Sequence, residues 1–216
     1  MLYFMVARHA QAEHNLERDI ITGRAPDAKL TQQGISQATR LGEYLARNQA
    51  RFDHVDSSTS PRALHTARLV CDRLRIPLES IVTSDALLEN DQGAWTGKVR
   101  SETYTPEVKL AMDAGKGDFC PPEGESLNMV EARMLAEMDM LATNGLAGKK
   151  HGSVLVVSHG LAIRCLYRGI TDSPKRGESW KLKFYHTAFA TFSYDGEWHC
   201  LAWNKTPHLA REPVTN

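Results

Sequence analysis

Hydrophobic and polar positions along this chain follow two different periods in alternation. Short runs of β-branched or aromatic residues predict strands at residues 3–7, 154–157 and 188–192, and weaker runs predict two more at 52–56 and 80–83. Each run is bounded by turn or polar residues. The chain therefore supplies several short strands, spread from its beginning to its end.

Apolar residues recur at helical spacing in three stretches between these strands. The shared faces are Ile35, Ala38, Leu41 and Leu45; Ala63, Ala67, Val70 and Leu74; and Leu127, Val130, Met134, Met138 and Leu141. Thr31 is a candidate cap for the first helix, and Ser60 followed by Pro61 is one for the second. The alternation of strand and helix predicts an α/β fold with a mainly parallel sheet.

The last part of the chain has a different pattern. The dipeptide Asp195-Gly196 separates two strand-like runs, 188–194 and 198–203, and Asp-Gly is a strong signal for a two-residue hairpin turn. We therefore expect an antiparallel edge on the sheet. Residues 98–125 show no clear periodicity and contain several glycines and prolines, so they predict a surface excursion or a lid over the active site.

Composition narrows the class of protein. The chain has 216 residues, of which 42% are hydrophobic, and this favours a single domain over 1–216. Lys plus Arg and Asp plus Glu both number 26, so no overall charge attracts nucleic acid or a membrane surface. The four widely spaced cysteines and the absence of a leader-like start at residue 1 favour a cytoplasmic protein.

Basic and acidic side chains follow four of the predicted strands. Arg8 and His9 come directly after the first, Arg62 follows the second, Glu89 comes soon after the third and His159 directly follows the fourth. Each residue alone has an ordinary structural explanation. The carboxyl ends of parallel strands meet at one edge, however, so we expect all five to converge there.

Two guanidinium groups and two imidazoles near helix starts are suited to binding phosphate. The sequence contains no Gly-rich Walker loop and no Asp cluster for Mg²⁺, so we expect neither metal nor cofactor. Neutral imidazole is a nucleophile near pH 7. His9 would carry the phosphoryl group, the arginines and a protonated His159 would stabilise its charge, and Glu89 would exchange protons.

At these positions the chain resembles the histidine phosphatase superfamily, the phosphoglycerate mutase-like branch 1. "RHAQAEHN" is similar to the family's RHG-x-[ST]-x-x-N, and "GRAPDAKLTQQGISQA" and "SSTSPRALHTA" also match family motifs. "LLENDQGAWTGK", "PPEGES", "VLVVSHGLAIR" and "WNKTPHL" follow in the expected order. The resemblance covers nearly the whole chain and implies a three-layer α/β/α sandwich.

The resemblance also implies roles for individual residues. His9 is the expected nucleophile and Glu89 the expected proton donor. The expected phosphate-binding residues are Arg8, Asn15, Arg62, His159 and Gly160, and the expected substrate-binding residues are Gly23, Asn90 and Trp95. The chain departs from the pattern at Ala10, where the family has glycine, and at Ala12, where it has a serine or threonine.

The resemblance leaves three functions open. Mutases of this family follow the acid with E-R-H-Y-G and carry a long insertion with paired arginines, whereas this chain has "ENDQG" at 89–93 and no such pair before "PPEGES". This difference favours a phosphatase acting on a small phosphorylated metabolite. A regulatory module that binds phosphorylated ligands with weak turnover is the other alternative. The chain is expected to be a monomer or a homodimer.

Overall fold

The structure is a computed structural model that describes residues 1–25, 28–145, 151–175 and 177–210. The described residues form six strands: β1 (Leu2–Arg8), β2 (His54–Ser58), β3 (Ile81–Ser84), β4 (Gly152–Ser158), β5 (Phe189–Tyr194) and β6 (Trp198–Lys205). They also form six α-helices: α1 (Gln32–Arg47), α2 (Pro61–Leu74), α3 (Arg100–Thr103), α4 (Pro106–Ala114), α5 (Leu127–Met140) and α6 (Gly160–Thr171).

All six strands belong to one mixed sheet, in the order β3-β2-β4-β1-β5-β6. The four strands β3, β2, β4 and β1 pair in parallel, and β5 and β6 add an antiparallel edge. In the register of β1 with β4, Arg8 lies opposite Ser158. The carboxyl ends of β1, β2 and β4 therefore meet at the same edge of the sheet.

Helices cover both faces of the sheet. Alternate residues of β4 point to opposite sides: Val154 and Val156 pack with α5 and α6, whereas Leu155 and Val157 pack with α1 and α2. All four of these valine and leucine side chains are fully buried. A strand that is covered on both faces gives a continuous apolar run in the sequence, as β4 does. The architecture is the expected three-layer α/β/α sandwich.

The observed elements confirm most of the predicted ones. Both weak strand predictions are correct, although β2 begins two residues later than the predicted run at 52–56. Thr31 caps α1 by accepting a hydrogen bond from the Gly34 N–H. Ser60 does not cap α2 with its side chain, although Pro61 occupies the expected first position of the helix. The hairpin around Asp195-Gly196 joins β5 and β6.

The stretch 98–125, which the sequence predicts as a surface excursion, contains the two helices α3 and α4. Neither helix buries any residue, so neither leaves an apolar stripe in the sequence. The signal that was available is the start of α4, where Thr105 accepts a hydrogen bond from the Val108 N–H and Pro106 follows it. The segment is fastened to the loop after β1, because the Arg100 N–H donates to the Asp19 carbonyl over 2.6 Å.

The described part of the chain has no helix that is both long and apolar enough to cross a membrane.

Candidate active site

His9 follows directly after β1, and a backbone hydrogen bond of 2.9 Å from its N–H to the Ser158 carbonyl fixes it beside the end of β4. The ring Nδ1 lies 2.7 Å from the Ala10 carbonyl oxygen. Because a carbonyl oxygen only accepts, Nδ1 must carry the proton of the neutral ring. The lone pair is therefore on Nε2, the nitrogen available for nucleophilic attack.

The surroundings of His9 keep its ring neutral. The side chain is 2% exposed. Burial lowers the pKa of His9 well below its usual value, and the positive charges of Arg62, His159 and Arg8 lower it further. A neutral imidazole is the reactive form, so the site keeps its candidate nucleophile ready over a wide range of pH.

Arg8 and Arg62 hold their guanidinium groups in a similar way. Arg8 donates from Nη1 to the Phe184 carbonyl over 2.7 Å. Arg62 donates to two carbonyls in the loop after β1, from Nη1 to Ala25 over 2.9 Å and from Nη2 to Gly23 over 3.2 Å. The Nε atoms of both arginines are buried and have no hydrogen-bond partner among the described residues. Unsatisfied buried N–H groups are costly, so these two indicate a site for an anionic oxygen.

Both guanidinium groups remain protonated near neutral pH. Burial lowers the pKa of Arg8 to about 9, with a further decrease from the charge of Arg164. Burial likewise lowers the pKa of Arg62 to about 10. An oxyanion placed between them would gain the attraction of two charges that water does not screen well.

His159 lies at the start of α6, and its ring centre is 5.0 Å from that of His9. Its Nε2 is 2.9 Å from the Ser58 hydroxyl, while its Nδ1 is buried without a hydrogen-bond partner among the described residues. Burial, and then Arg62 and Arg8, lower the pKa of His159 well below its usual value. The ring is therefore neutral when the site holds no anion. A bound dianion would raise the pKa of His159 toward the protonated state that the sequence predicts during phosphoryl transfer.

Glu89 is brought to the same edge by the N-terminus of α6. One carboxylate oxygen accepts from the Leu161 N–H over 3.1 Å, and the other accepts from the Ala162 N–H over 3.0 Å. The free N–H groups and positive end of a helix stabilise a carboxylate at this position. The chain thus holds the candidate acid against the helix that begins next to His159.

A network of charged side chains holds the backbone of Glu89 in place. Arg133 donates from Nη2 to the Glu89 carbonyl over 3.1 Å, and Arg24 donates from Nε to the same oxygen over 3.0 Å. Glu125 lies between them, with ion pairs of 3.0 Å to Arg133 and 2.9 Å to Arg24. These contacts fix the backbone of Glu89. The sequence patterns did not identify this role for Arg24, Glu125 or Arg133.

Gly160 and Asn15, two of the expected phosphate-binding residues, make no described hydrogen bond to His9. A Cβ on Gly160 would lie 3.0 Å from Arg8 Nε, so the absence of a side chain lets the guanidinium approach α6. Asn15 closes the turn after His9, where its Oδ1 accepts from the Ala12 N–H over 2.9 Å.

The three candidate substrate-binding residues lie around the segment that follows Glu89. Gly23 supplies the carbonyl that holds Arg62 and has a φ of +45°, which favours glycine. Asn90 is buried and donates from Nδ2 to the Glu125 carbonyl over 2.9 Å. Trp95 packs against Tyr104 and Phe119, with ring centres 5.5 and 5.7 Å away. The described contacts of Asn90 and Trp95 are thus internal to this segment.

Two further histidines face His9, and the sequence patterns did not predict either as a phosphate ligand. The ring centres of His14 and His186 lie 6.1 and 5.8 Å from that of His9. His14 had a local signal, because it belongs to the same "RHAQAEHN" stretch. His186 had none, since 177 positions separate it from His9 and only the fold brings them together. Thr187, next to it, has a φ of +54°, which is rare for a β-branched residue.

Histidines, cysteines, aspartates and glutamates in the described part of the chain form no group of three or more suited to holding a metal ion. The candidate site is built instead from arginine and histidine side chains.

Comparison with known families gives the class of the protein. The family model of the histidine phosphatase superfamily (branch 1) matches residues 4–206. This chain therefore belongs to that superfamily, as the motifs around His9, Arg62 and His159 indicated.

Individual relatives that are similar in sequence carry the names of phosphoglycerate mutases. Phosphoglycerate mutase-like protein 4 of Arabidopsis thaliana is 31% identical over 95% of this chain and 86% of its own length. A 2,3-bisphosphoglycerate-dependent phosphoglycerate mutase of Azorhizobium caulinodans is 32% identical over 75% of this chain and 78% of its own length. The solved structure of YhfR from Bacillus stearothermophilus has a TM-score of 0.79 and 26% identity, and covers 96% of this chain and 99% of that one.

Proposed function

We propose that this chain is a metal-independent phosphatase that hydrolyses a small phosphomonoester through a phosphohistidine at His9. The observation that carries the proposal is a set of buried, unsatisfied nitrogens next to a neutral His9. Arg8 Nε, Arg62 Nε and His159 Nδ1 have no hydrogen-bond partner among the described residues. The two guanidinium N–H groups, together with His159 Nδ1 when that nitrogen carries a proton, match the three non-bridging oxygens of a phosphoryl group.

The reaction proceeds in two displacements. In the first, the lone pair on His9 Nε2 forms a bond to phosphorus, the bond from phosphorus to the ester oxygen breaks, and Glu89 gives its proton to the leaving alkoxide. In the second, Glu89 takes a proton from water as the water oxygen attacks phosphorus. The bond to Nε2 then breaks, and inorganic phosphate leaves.

The test is hydrolysis of p-nitrophenyl phosphate in the presence of EDTA. We expect turnover that the chelator does not reduce, because Arg8 and Arg62 neutralise the phosphoryl charge. His9→Ala should abolish turnover and retain the fold. Acid quenching during turnover releases phosphate from phosphohistidine, so alkaline quenching should trap an acid-labile phosphate on His9. Turnover by His9→Ala, or label on another residue, would exclude His9 as the nucleophile.

A phosphoglycerate mutase is the second candidate, and the names of the relatives favour it. A mutase must hold a bisphosphorylated and carboxylated substrate, which requires cations beyond the phosphoryl site. Next to Glu89, Arg24 is already paired with Asp91 at 3.4 Å and with Glu125 at 2.9 Å, and this supports the phosphatase. Conversion of 3-phosphoglycerate to 2-phosphoglycerate, primed with 2,3-bisphosphoglycerate and faster than phosphate release, would favour the mutase instead.

A phospho-ligand-binding module with weak turnover is the remaining candidate. It predicts that inorganic phosphate binds while p-nitrophenyl phosphate is not hydrolysed between about pH 5 and 8. Glu89, which is fixed by α6 and by two arginines, favours the enzyme, because a pure binding site has no use for a positioned proton donor.

A further inference from the structure

Three residues in the turn after β1 form a chain of hydrogen bonds with a defined direction. The Ala12 N–H donates to Asn15 Oδ1 over 2.9 Å. Since a backbone N–H only donates, this contact identifies the amide oxygen of Asn15. The amide nitrogen Nδ2 then faces His14 Nε2, at a distance of 3.1 Å. Because the amide nitrogen also only donates, Nε2 of His14 must accept, and the proton of the neutral ring is on Nδ1.

That Nδ1–H group has no hydrogen-bond partner among the described residues, and it is buried. The ring of His14 is tilted toward that of His9, with 6.1 Å between the ring centres. Burial lowers the pKa of His14 to about 4, and Arg62 and Arg8 contribute to the decrease. The ring is therefore neutral at pH 7, and the charges of the two nearby arginines help to keep it neutral.

We propose that His14 is a phosphoryl-binding residue, which donates from Nδ1 to a non-bridging oxygen of the group transferred to His9. Asn15 is then a positioning residue that acts through His14 by fixing its tautomer. This inference rests on the proposed phosphoryl-transfer function. It differs from a direct contact between Asn15 and phosphate, the role that the sequence motif implies.

The side chain of Ala12 supplies no donor to this turn, since Ala12 is fully buried and offers only a methyl group. Asn15 uses one of its two Nδ2 hydrogens on His14 Nε2. His14 Nδ1, by contrast, is buried and has no hydrogen-bond partner among the described residues. A bound phosphoryl oxygen would satisfy the one nitrogen of His14 that the protein leaves unsatisfied.

The first test compares two substitutions of His14 by activity. His14→Phe keeps a ring and removes the donor, and we expect kcat/KM for p-nitrophenyl phosphate to fall about 10- to 100-fold, the range for a hydrogen bond to a charged group. His14→Asn places an amide nitrogen at the position of Nδ1 and should restore most of the loss. The exposed His65, changed to Phe, is the control. Unchanged kcat/KM in folded His14→Phe, or no rescue by Asn, would overturn the proposal.

The second test separates the relay from a direct contact of Asn15. If Asn15 acts through His14, then Asn15→Ala lowers kcat/KM in the native background and has little further effect in His14→Phe. If Asn15 contacts phosphate directly, the two losses multiply in the double variant, and the relay is wrong.

The third test needs no substitution. In ¹⁵N NMR of the native protein, His14 should show a protonated Nδ1 and an unprotonated Nε2, and inorganic phosphate should shift the Nδ1 resonance. An Nε2–H tautomer, or an Nδ1 signal that phosphate does not move, would overturn the inference. Failure of the native protein to hydrolyse any phosphomonoester would contradict the proposed function instead. The response of the His14 Nδ1 resonance to inorganic phosphate would still decide the role of His14 in that case.

Discussion

Gly160→Ala tests whether the missing side chain at the first residue of α6 allows Arg8, the proposed phosphate-binding arginine, to take its position. A Cβ at this position would lie 3.0 Å from Arg8 Nε and 3.1 Å from Arg8 Cζ, both closer than ordinary van der Waals contact. The guanidinium cannot simply swing away, because its Nη1 is bonded to the Phe184 carbonyl at 2.7 Å. The methyl group must therefore displace Nε, the nitrogen assigned to the phosphoryl oxygen, by a few tenths of an ångström.

The size of the effect follows from the contact that is weakened. A hydrogen bond to a charged group contributes about 1.5–3 kcal/mol, and losing about half of it lowers kcat/KM about 4- to 13-fold. The free energy of unfolding should change little. Gly160 is the first residue of α6, so alanine gains less there than the roughly 1 kcal/mol of a helix-interior position, and this gain offsets part of the cost of the tight contact.

The assay is p-nitrophenyl phosphate turnover measured together with urea unfolding. We expect kcat/KM to fall about 4- to 13-fold while the free energy of unfolding changes by less than about 1 kcal/mol. The control is the same substitution in Arg8→Lys, where the slimmer ammonium should tolerate the methyl group, so that Gly160→Ala has little further effect. Full activity of Gly160→Ala, or an equal loss in both backgrounds, would refute the reasoning.

Three more outcomes are expected. After correction for ionisation of the substrate, kcat/KM should persist down to about pH 5, because the lowered pKa of His9 keeps its nucleophilic form; an acid limb near pH 6.5 would contradict this. The free energy of unfolding should fall as the pH drops from 6.5 toward 4, because His14 and His208 have a pKa of about 4 when folded and gain protons on unfolding; urea titrations that are flat over this range would contradict it. Arg133→Met should lower kcat more than it raises KM, since it releases the Glu89 backbone, and steady-state kinetics would show the reverse if Arg133 bound substrate.

The layers of the fold were predictable because buried apolar residues recur at regular spacing in the sequence. β4 is apolar at every central position since it is covered on both faces, and α1 and α2 carry one apolar stripe each. α3 and α4 bury no residue, so their sequences contain no such apolar pattern. The helix α6 was missed for the opposite reason: its apolar residues closely follow the apolar run of β4, and only Ser158, His159 and Gly160 separate the two.

The site was predictable where strand ends dictate position and unpredictable where it depends on tertiary contacts. Arg8 is the last residue of β1, and His9 and His159 directly follow β1 and β4. The parallel pairing of these strands brings the three residues together. The turn at His186 reaches His9 from a distant part of the chain, so no local pattern could place it. The neutral state of His159 was also beyond the sequence, because it depends on burial and on two neighbouring positive charges.

Arg8 and Arg62 each use their terminal nitrogens on backbone carbonyls and keep Nε for the site. Each arginine side chain thus connects a loop to the proposed phosphoryl-binding site. When an anion draws Nε inward, the loops at 23–25 and around Phe184 are pulled with it, although they are far apart in sequence. Ligand binding should therefore slow amide hydrogen exchange in both loops together, so that occupancy of one site would be detected in two segments that are far apart in the sequence.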